Sequence, residues 1–270
     1  MKRGLCLLFF LVISFSANLD GQSVSLVNLW DHWSSGTAHS LPAGRFEMGL
    51  FQPMRYGCSD ALEFSAHPLL FFVSPNFDAK INYGDLGGIT IASSHGLTYP
   101  THLMRLVAKE GIGGLISPEF DIPHIISWQN ELLISAEMLG SHLLTAKLAW
   151  NTAYKSGPLD PRTTIDLPVV YARTGVYYHD YGWRFGADLK GPLFWRWGYS
   201  LDGDVFYYPK ADPDINMAFE HKGLLFWNKS TGFQLCLGYL LSYGEYPFGT
   251  QWHILPLIDL QWGWTRGGRR

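Results

Sequence analysis

Residues Trp252–Trp264 read WHILPLIDLQWGW, and their alternation decides the fold. Trp252, Ile254, Pro256, Ile258, Leu260, Trp262 and Trp264 fill every second position. His253, Leu255, Leu257, Asp259, Gln261 and Gly263 stand between them. Successive side chains of a strand point to opposite faces, so one face is wholly apolar and the other turns polar or small toward its end. A helical period would instead scatter Asp259 and Gln261 around a cylinder. Pro256 cannot donate to a ladder, which marks a bulge or a strand start.

The same two-residue period recurs upstream. Phe233, Leu235, Leu237, Tyr239, Leu241 and Tyr243 alternate with Gln234, Cys236, Gly238, Leu240 and Ser242. Trp183, Phe185, Ala187 and Leu189 alternate with Arg184, Gly186, Asp188 and Lys190. Nearer the front, Phe46 and Met48 flank Glu47, while Leu62 and Phe64 flank Glu63. Turn residues separate the segments, at Gly140-Ser141, Ser156-Gly157-Pro158, Gly191-Pro192, Pro209–Pro213 and Gly244–Gly249.

Alternation alone does not say which face is wet, because a soluble β-sandwich also alternates, with its apolar side inward. Three features turn the apolar side to lipid. Several segments run longer than the ~5–6 residues of soluble strands and match the ~9–11 needed to cross a bilayer at a tilt. Aromatic residues crowd the segment ends, as in the girdles of membrane barrels. The polar side mixes Gly and Ser with charges of both signs, which suits an enclosed lumen.

Composition agrees. The chain has 270 residues, 47% hydrophobic and 16% charged, with a formal net charge of −3. Soluble domains average about 25% charged residues. So little charge excludes a disordered chain, and the near-neutral balance argues against a nucleic-acid binder, which carries a basic stripe. Lys2 and Arg3 precede an apolar run from Leu5 to Phe15, the build of a secretory signal. Residues 1–21 are read as that signal peptide and 22–270 as one barrel domain. Cys58 and Cys236 then remain, too few for a disulfide scaffold; they form one bridge or stay as two thiols. No window beyond the signal approaches the ~20 apolar residues of a spanning helix. An exported, charge-poor chain without spanning helices points to a closed barrel, which leaves no strand edge unpaired in lipid.

On these residues the chain resembles the Gram-negative bacterial outer-membrane β-barrel class. The signal, the repeated dyads and the terminal segment Leu255–Trp264 carry the resemblance, although Thr265–Arg270 (TRGGRR) continue past the usual final aromatic. The resemblance implies an outer-membrane location, contact with its lipid and with the barrel-insertion machinery, and termini on the periplasmic side. No named family is assigned.

At roughly 20 residues per strand and connection, the mature chain makes about twelve antiparallel strands. Candidate segments lie near 44–53, 59–67, 77–84, 86–95, 125–139, 142–155, 165–178, 181–190, 195–208, 217–227, 232–243 and 252–264. Asn130–Leu148 reads as a hairpin turning at Gly140-Ser141 rather than as a helix. Leu97–Pro123 is a short helix after Thr101 or a further strand, and is the candidate for a loop folded into the barrel.

Glu47, Glu63, Arg184, Asp188, Lys190, Asp259 and Gln261 share the polar side and are expected to face one lumen. Mixed charges there either pair and fill it or line a narrow pathway. The expected function is a narrow pore or small-solute transporter, with no cofactor, metal or nucleic-acid partner and with its small-molecule or ion ligand unspecified. Two alternatives are a secreted β-domain that stacks carbohydrate on its aromatics and a lipid-modifying barrel enzyme. For the latter, a serine beside a histidine is the chemistry to seek. His67 near Ser65 and Glu63, and His95 near Ser93 and Ser94, are the candidates. Neither matches the His-x-Ser-Asn pattern of barrel phospholipases, and no catalytic residue is assigned.

Overall fold

A strand in a bilayer leaves backbone groups without partners wherever an edge is unpaired. This chain pairs its strands by closure, apart from part of the last strand on the side facing the first, among the described residues. In the computed structural model, residues 33–111, 115–138, 141–165, 168–212, 216–246 and 249–265 are described. The expected signal, 1–21, lies outside them. Twelve strands run in chain order: β1 Arg45–Gly49, β2 Met54–Ser59, β3 Leu62–Ala66, β4 Asn76–Asp85, β5 Ile89–Thr98 and β6 Ile125–Met138. The second half comprises β7 His142–Lys155, β8 Tyr181–Phe194, β9 Trp197–Tyr207, β10 Met217–Ser230, β11 Phe233–Tyr246 and β12 Gly249–Thr265. Each pairs antiparallel with its neighbours, and β1 pairs with β12 to close the barrel.

The oily side faces out. Ile258 is 60% exposed and Leu237 38%, whereas Gln234, Asp259 and Gln261 on the alternate side are buried. A β-sandwich reverses this pattern, so the soluble alternative does not describe the chain. Cys58 is exposed, Cys236 is buried, and both are free thiols.

The two ends of the barrel differ. Short turns at 60–61, 86–88, 195–196 and 231–232 share one end with the start of β1 and the end of β12. The other end carries the long connections 67–75, 99–124, 156–180 and 208–216, and with them, among the described residues, three α-helices. These are α1 (Pro68–Phe71), α2 (Thr101–Val107) and α3 (Pro168–His179).

The strand count agrees with expectation, but its members differ. The segment expected as a strand at 165–178 is mostly α3, and β2 is an extra strand. Val170, Tyr171, Val176 and Tyr177 are residue types that favour strands. Tertiary burial overrides that preference, because Tyr171, Ala172 and Val176 recur at helical spacing on the face sunk into the loop-end mouth. There Ala172 and Val176 pack with Met104, Ile116, Ile122, Ile125 and Phe206, and the Tyr171 ring meets that of Tyr208 at 6.4 Å. The Tyr208 ring lies against Gly175, where a Cβ would collide with it, and its hydroxyl donates to the Ala172 carbonyl at 2.6 Å. The 97–123 stretch forms the end of β5 and then α2. Pro100, rather than Thr101, occupies the N-cap, and Thr101 Oγ1 accepts from the Ile125 N–H at 2.8 Å. The stretch helps cap the mouth, and the segment that enters the lumen is a different one. The hairpin expected across 130–148 is present as β6 and β7.

The wall is uneven at its seam. β1 pairs only with residues 261–265 of β12, and Leu50 N–H adds one bond to the Leu260 carbonyl. Beyond that point, among the described residues, β12 pairs on its β11 side alone. The Leu260 carbonyl points toward β1 and the Gly263 N–H toward the β11 side, so even-numbered residues of β12 direct their backbone groups to the seam. Pro256 therefore lacks its N–H on the side where no strand accepts it. A proline is tolerated there and guards an open edge against unwanted pairing.

Replacing Leu148, an exposed mid-strand residue of β7, with arginine should cost about 2–4 kcal/mol near the bilayer midplane. Pro256→Ala should leave stability nearly unchanged. Denaturant unfolding in vesicles, with heat-modifiable gel migration to confirm folding, measures both.

Candidate functional site

Charged side chains on the inner face must find partners, because unpaired charge out of water costs several kcal/mol. Most of them do so in two groups on opposing walls. On β1–β4, Glu47 bonds Arg45 at 2.9 Å and Arg55 at 2.5 Å. Glu63 meets Lys80 at 3.1 Å and Arg55 at 3.6 Å. On β6–β10, Arg184 bonds Glu131 at 2.5 Å and approaches Asp204 at 3.9 Å. Lys147 bridges Asp202 and Asp204, and Lys222 reaches Asp202 at 3.2 Å.

The seven residues singled out in the sequence are all buried, but they do not form one cluster. Glu47 and Glu63 belong to the first group and Arg184 to the second. Asp188 accepts from the Ser200 hydroxyl at 2.9 Å. Lys190 donates to the Trp33 carbonyl at 2.5 Å. Asp259 and Gln261 bond each other at 3.1 Å, and Asp259 also takes the Phe51 N–H at the corner after β1. Sequence reasoning missed Arg45, Arg55, Lys80, Glu131, Lys147 and Lys222 as parts of this network. The signal was present: Glu131 and Lys147 share parity with Leu133 and Ala149, the buried face of β6 and β7.

A strap, residues 33–43, crosses between the walls before the chain enters β1. Its backbone is held at successive points. The Ala38 N–H donates to Ser135 Oγ at 2.8 Å and the Ala38 carbonyl accepts from Asn82 at 3.1 Å. Lys80 Nζ donates to the His39 carbonyl at 2.6 Å, and the Leu41 N–H donates to Glu63 at 2.9 Å. Ser34 Oγ also donates to Glu63, at 3.2 Å. Ala38 and Leu41 are fully buried. Gly57 on β2 makes room, since a Cβ there would strike the Leu41 and Pro42 carbonyl oxygens. Beside the strap, a cavity of about 240 Å³ remains at the turn end, lined by His39, Asp85, Ser135 and Glu137 among others.

At the loop end, α3 is pinned by charge. Arg173 bonds Glu220 of β10 at 2.6 Å. Asp180, left-handed at φ 65°, joins α3 to β8 and accepts from Lys155 at 2.8 Å and Lys210 at 2.9 Å. Those hydrogen bonds, first from Lys155 and then from Lys210, hold the Asp180 carboxyl below the ordinary aspartate range.

Of the histidine candidates, His67 does not meet Ser65: its Nε2 lies 3.0 Å from the Phe51 carbonyl. His95 does meet a serine, Ser93, at 3.0 Å on the outer wall, and Ser94 takes the opposite parity.

Two expectations follow. Glu63→Ala leaves Lys80 and Arg55 with one carboxylate fewer and releases the Leu41 N–H. It should destabilise the barrel by about 3–5 kcal/mol in denaturant titration and expose 33–43 to protease. Asp180→Asn keeps the left-handed turn and removes the charge. Because the folded carboxyl is depressed, its stabilisation is complete above the unfolded range near 3.9 and fades as the pH falls through the folded value. The wild-type advantage should be present at neutral pH and vanish in acid unfolding midpoints.

No family model matches the chain, and no curated protein matches it. Among solved structures, it is similar to a Pseudomonas aeruginosa FadL homologue at 10% identity, with a TM-score of 0.40 over 82% of this chain and 68% of that one. It is similar to the CymD monoaromatic hydrocarbon channel at 9% identity and a TM-score of 0.35, over 82% of this chain and 51% of the channel, about half its length. It is also similar to the P. putida toluene transporter TodX at 9% identity and a TM-score of 0.38, over 83% of this chain and 78% of that one.

Proposed function

We propose that this protein is a bacterial outer-membrane transporter for a small solute, held shut at its periplasmic end by the strap 33–43. The observation that carries this reading is the manner in which the strap is bound. Its backbone lies across the lumen and is gripped by lumen side chains on several strands: Lys80, Asn82, Glu63, Ser135 and Lys190. A lumen that served only as structural filling would be closed most economically by apolar side chains, since replacing buried ion pairs with packed hydrophobics is often neutral or stabilising. Polar grips on a separate strand of chain are instead exchangeable with water. The strap's departure uncovers only a small apolar contact, that of Ala38 with Ala92 and Leu133, beside the buried Trp33 and Leu41, and the charged walls then line an aqueous path.

The orientation rests on the short turns sharing one end with the start of β1 and the end of β12, the arrangement of outer-membrane barrels. The strap then closes the periplasmic side, and α2 and α3 cap the outside. Glu47, Glu63, Arg184, Asp188, Lys190, Asp259 and Gln261 are lumen residues in this reading, with charges of both signs facing the path. That balance favours a neutral or zwitterionic solute over a simple ion.

Planar-bilayer recording tests it. The full chain should be nearly silent, and excision of residues 33–38 should produce discrete conductance steps. Silence of a folded, excised variant overturns the reading.

A further inference from the structure

The outer wall between β4 and β6 carries a polar island in a largely apolar band. Ser93 and His95 share the outward parity of β5 with Ile91 and Leu97. Asn130 of β6 stands directly opposite His95 in the register. Ser93 Oγ lies 3.0 Å from His95 Nε2, and His95 Nδ1 lies 2.8 Å from Asn130 Oδ1. Tyr83, 62% exposed, places its hydroxyl 2.7 Å from Ser93 Oγ, and Trp128 Nε1 lies 3.0 Å from Asn130 Oδ1. Alanine or valine at these outward positions would cost nothing in lipid, whereas each polar group there must be satisfied.

The indole decides where the protons lie. Trp128 Nε1 only donates, so the Asn130 atom it meets is the carbonyl oxygen. The His95 nitrogen facing that same oxygen must then carry hydrogen, which places the proton on Nδ1. His95 Nε2 is left as an acceptor, and the Ser93 hydroxyl donates to it. This is the arrangement of an activated nucleophile: serine, base and a third group that orients the base. Tyr83 supplies a phenolic donor beside the nucleophile.

We infer that Ser93, His95 and Asn130 form an acyl-ester hydrolase site on the membrane-facing wall, acting on the acyl esters of glycerolipids. The inference is independent of what the lumen carries. Ser93 Oγ attacks the ester carbonyl carbon, the carbonyl π pair moves onto its oxygen, and His95 Nε2 takes the serine proton. Tyr83, turning its O–H from Oγ, hydrogen-bonds the oxyanion. Collapse breaks the bond to the alkoxy oxygen, which leaves with the proton from His95 as a lysolipid alcohol. Water then attacks the acyl-serine, His95 takes its proton, and Ser93 departs with that proton restored, releasing a fatty acid. No redox partner or metal enters the balance. Asn130 is a positioning residue that holds the His95 tautomer.

The full chain in detergent micelles should be labelled at Ser93 by an alkyl fluorophosphonate, located by peptide mass spectrometry. It should also release fatty acid from phosphatidylethanolamine in mixed micelles. Ser93→Ala and His95→Ala should each reduce release at least about 1000-fold, while Ser94→Ala leaves it unchanged. Asn130→Ala should lower kcat with little change in KM, and Asn130→Asp should recover most of the loss. Heat-modifiable migration confirms that each variant is folded. Labelling requires no variant, so a misfolded mutant does not shelter the proposal. Absence of label at Ser93, no fatty-acid release by the wild type, or release that survives Ser93→Ala overturns it.

Discussion

Every backbone N–H and C=O that meets lipid must be bonded within the protein, because hydrocarbon offers no partner and each orphan costs several kcal/mol. That requirement makes the β1–β12 ladder, only five residues long on the β1 side, the pairing on which the architecture depends. It converts a curled sheet into a circuit. Once the circuit closes, the parity of every strand is set: Ile258, Leu237 and Leu148 must face acyl chains, and Glu47, Lys147 and Asp202 must face inward. Where the ladder ends, at Leu260, the chain leaves an edge that Pro256 renders a poor template for further pairing.

Closure creates a second problem, the filling of the lumen. Twelve strands enclose more space than their inner side chains occupy, and the chain fills it differently at its two ends. The loop end is closed by an apolar cluster around α3, with Tyr208 seated against Gly175. The turn end is closed by the polar grip on the strap. Hydrophobic contacts are lost in water at a cost proportional to area, while hydrogen bonds to a strap are readily replaced by water. The two closures therefore differ in kind, apolar contact at the loop end and mainly hydrogen bonds to charged side chains at the turn end.

The outer surface is less uniform than a lipid-facing wall requires. Between Ile91 and Leu97 the band is interrupted by side chains that bond one another in a continuous line from Tyr83 to Trp128. Adjacent strands bring this line together. Ser93 and His95 were visible as neighbours in the sequence, but Asn130 joins them only through the β5–β6 register.

Periodicity by itself determined the class of fold and the outward face, since a two-residue alternation in segments such as 233–243 and 252–264 is a local property of the chain. It also placed the β6–β7 hairpin. Four things were decided only by tertiary structure. α3 took a segment of strand-favouring residues because burial in the mouth outweighs local propensity, and the short β2 was claimed by pairing with β1 and β3. The strap 33–43 has no periodicity to announce it, since its order comes from side chains distant in sequence. The partition of seven polar residues among separate partners likewise depends on strand register. Alternation states which wall a side chain faces, and only the closed barrel states what stands across from it.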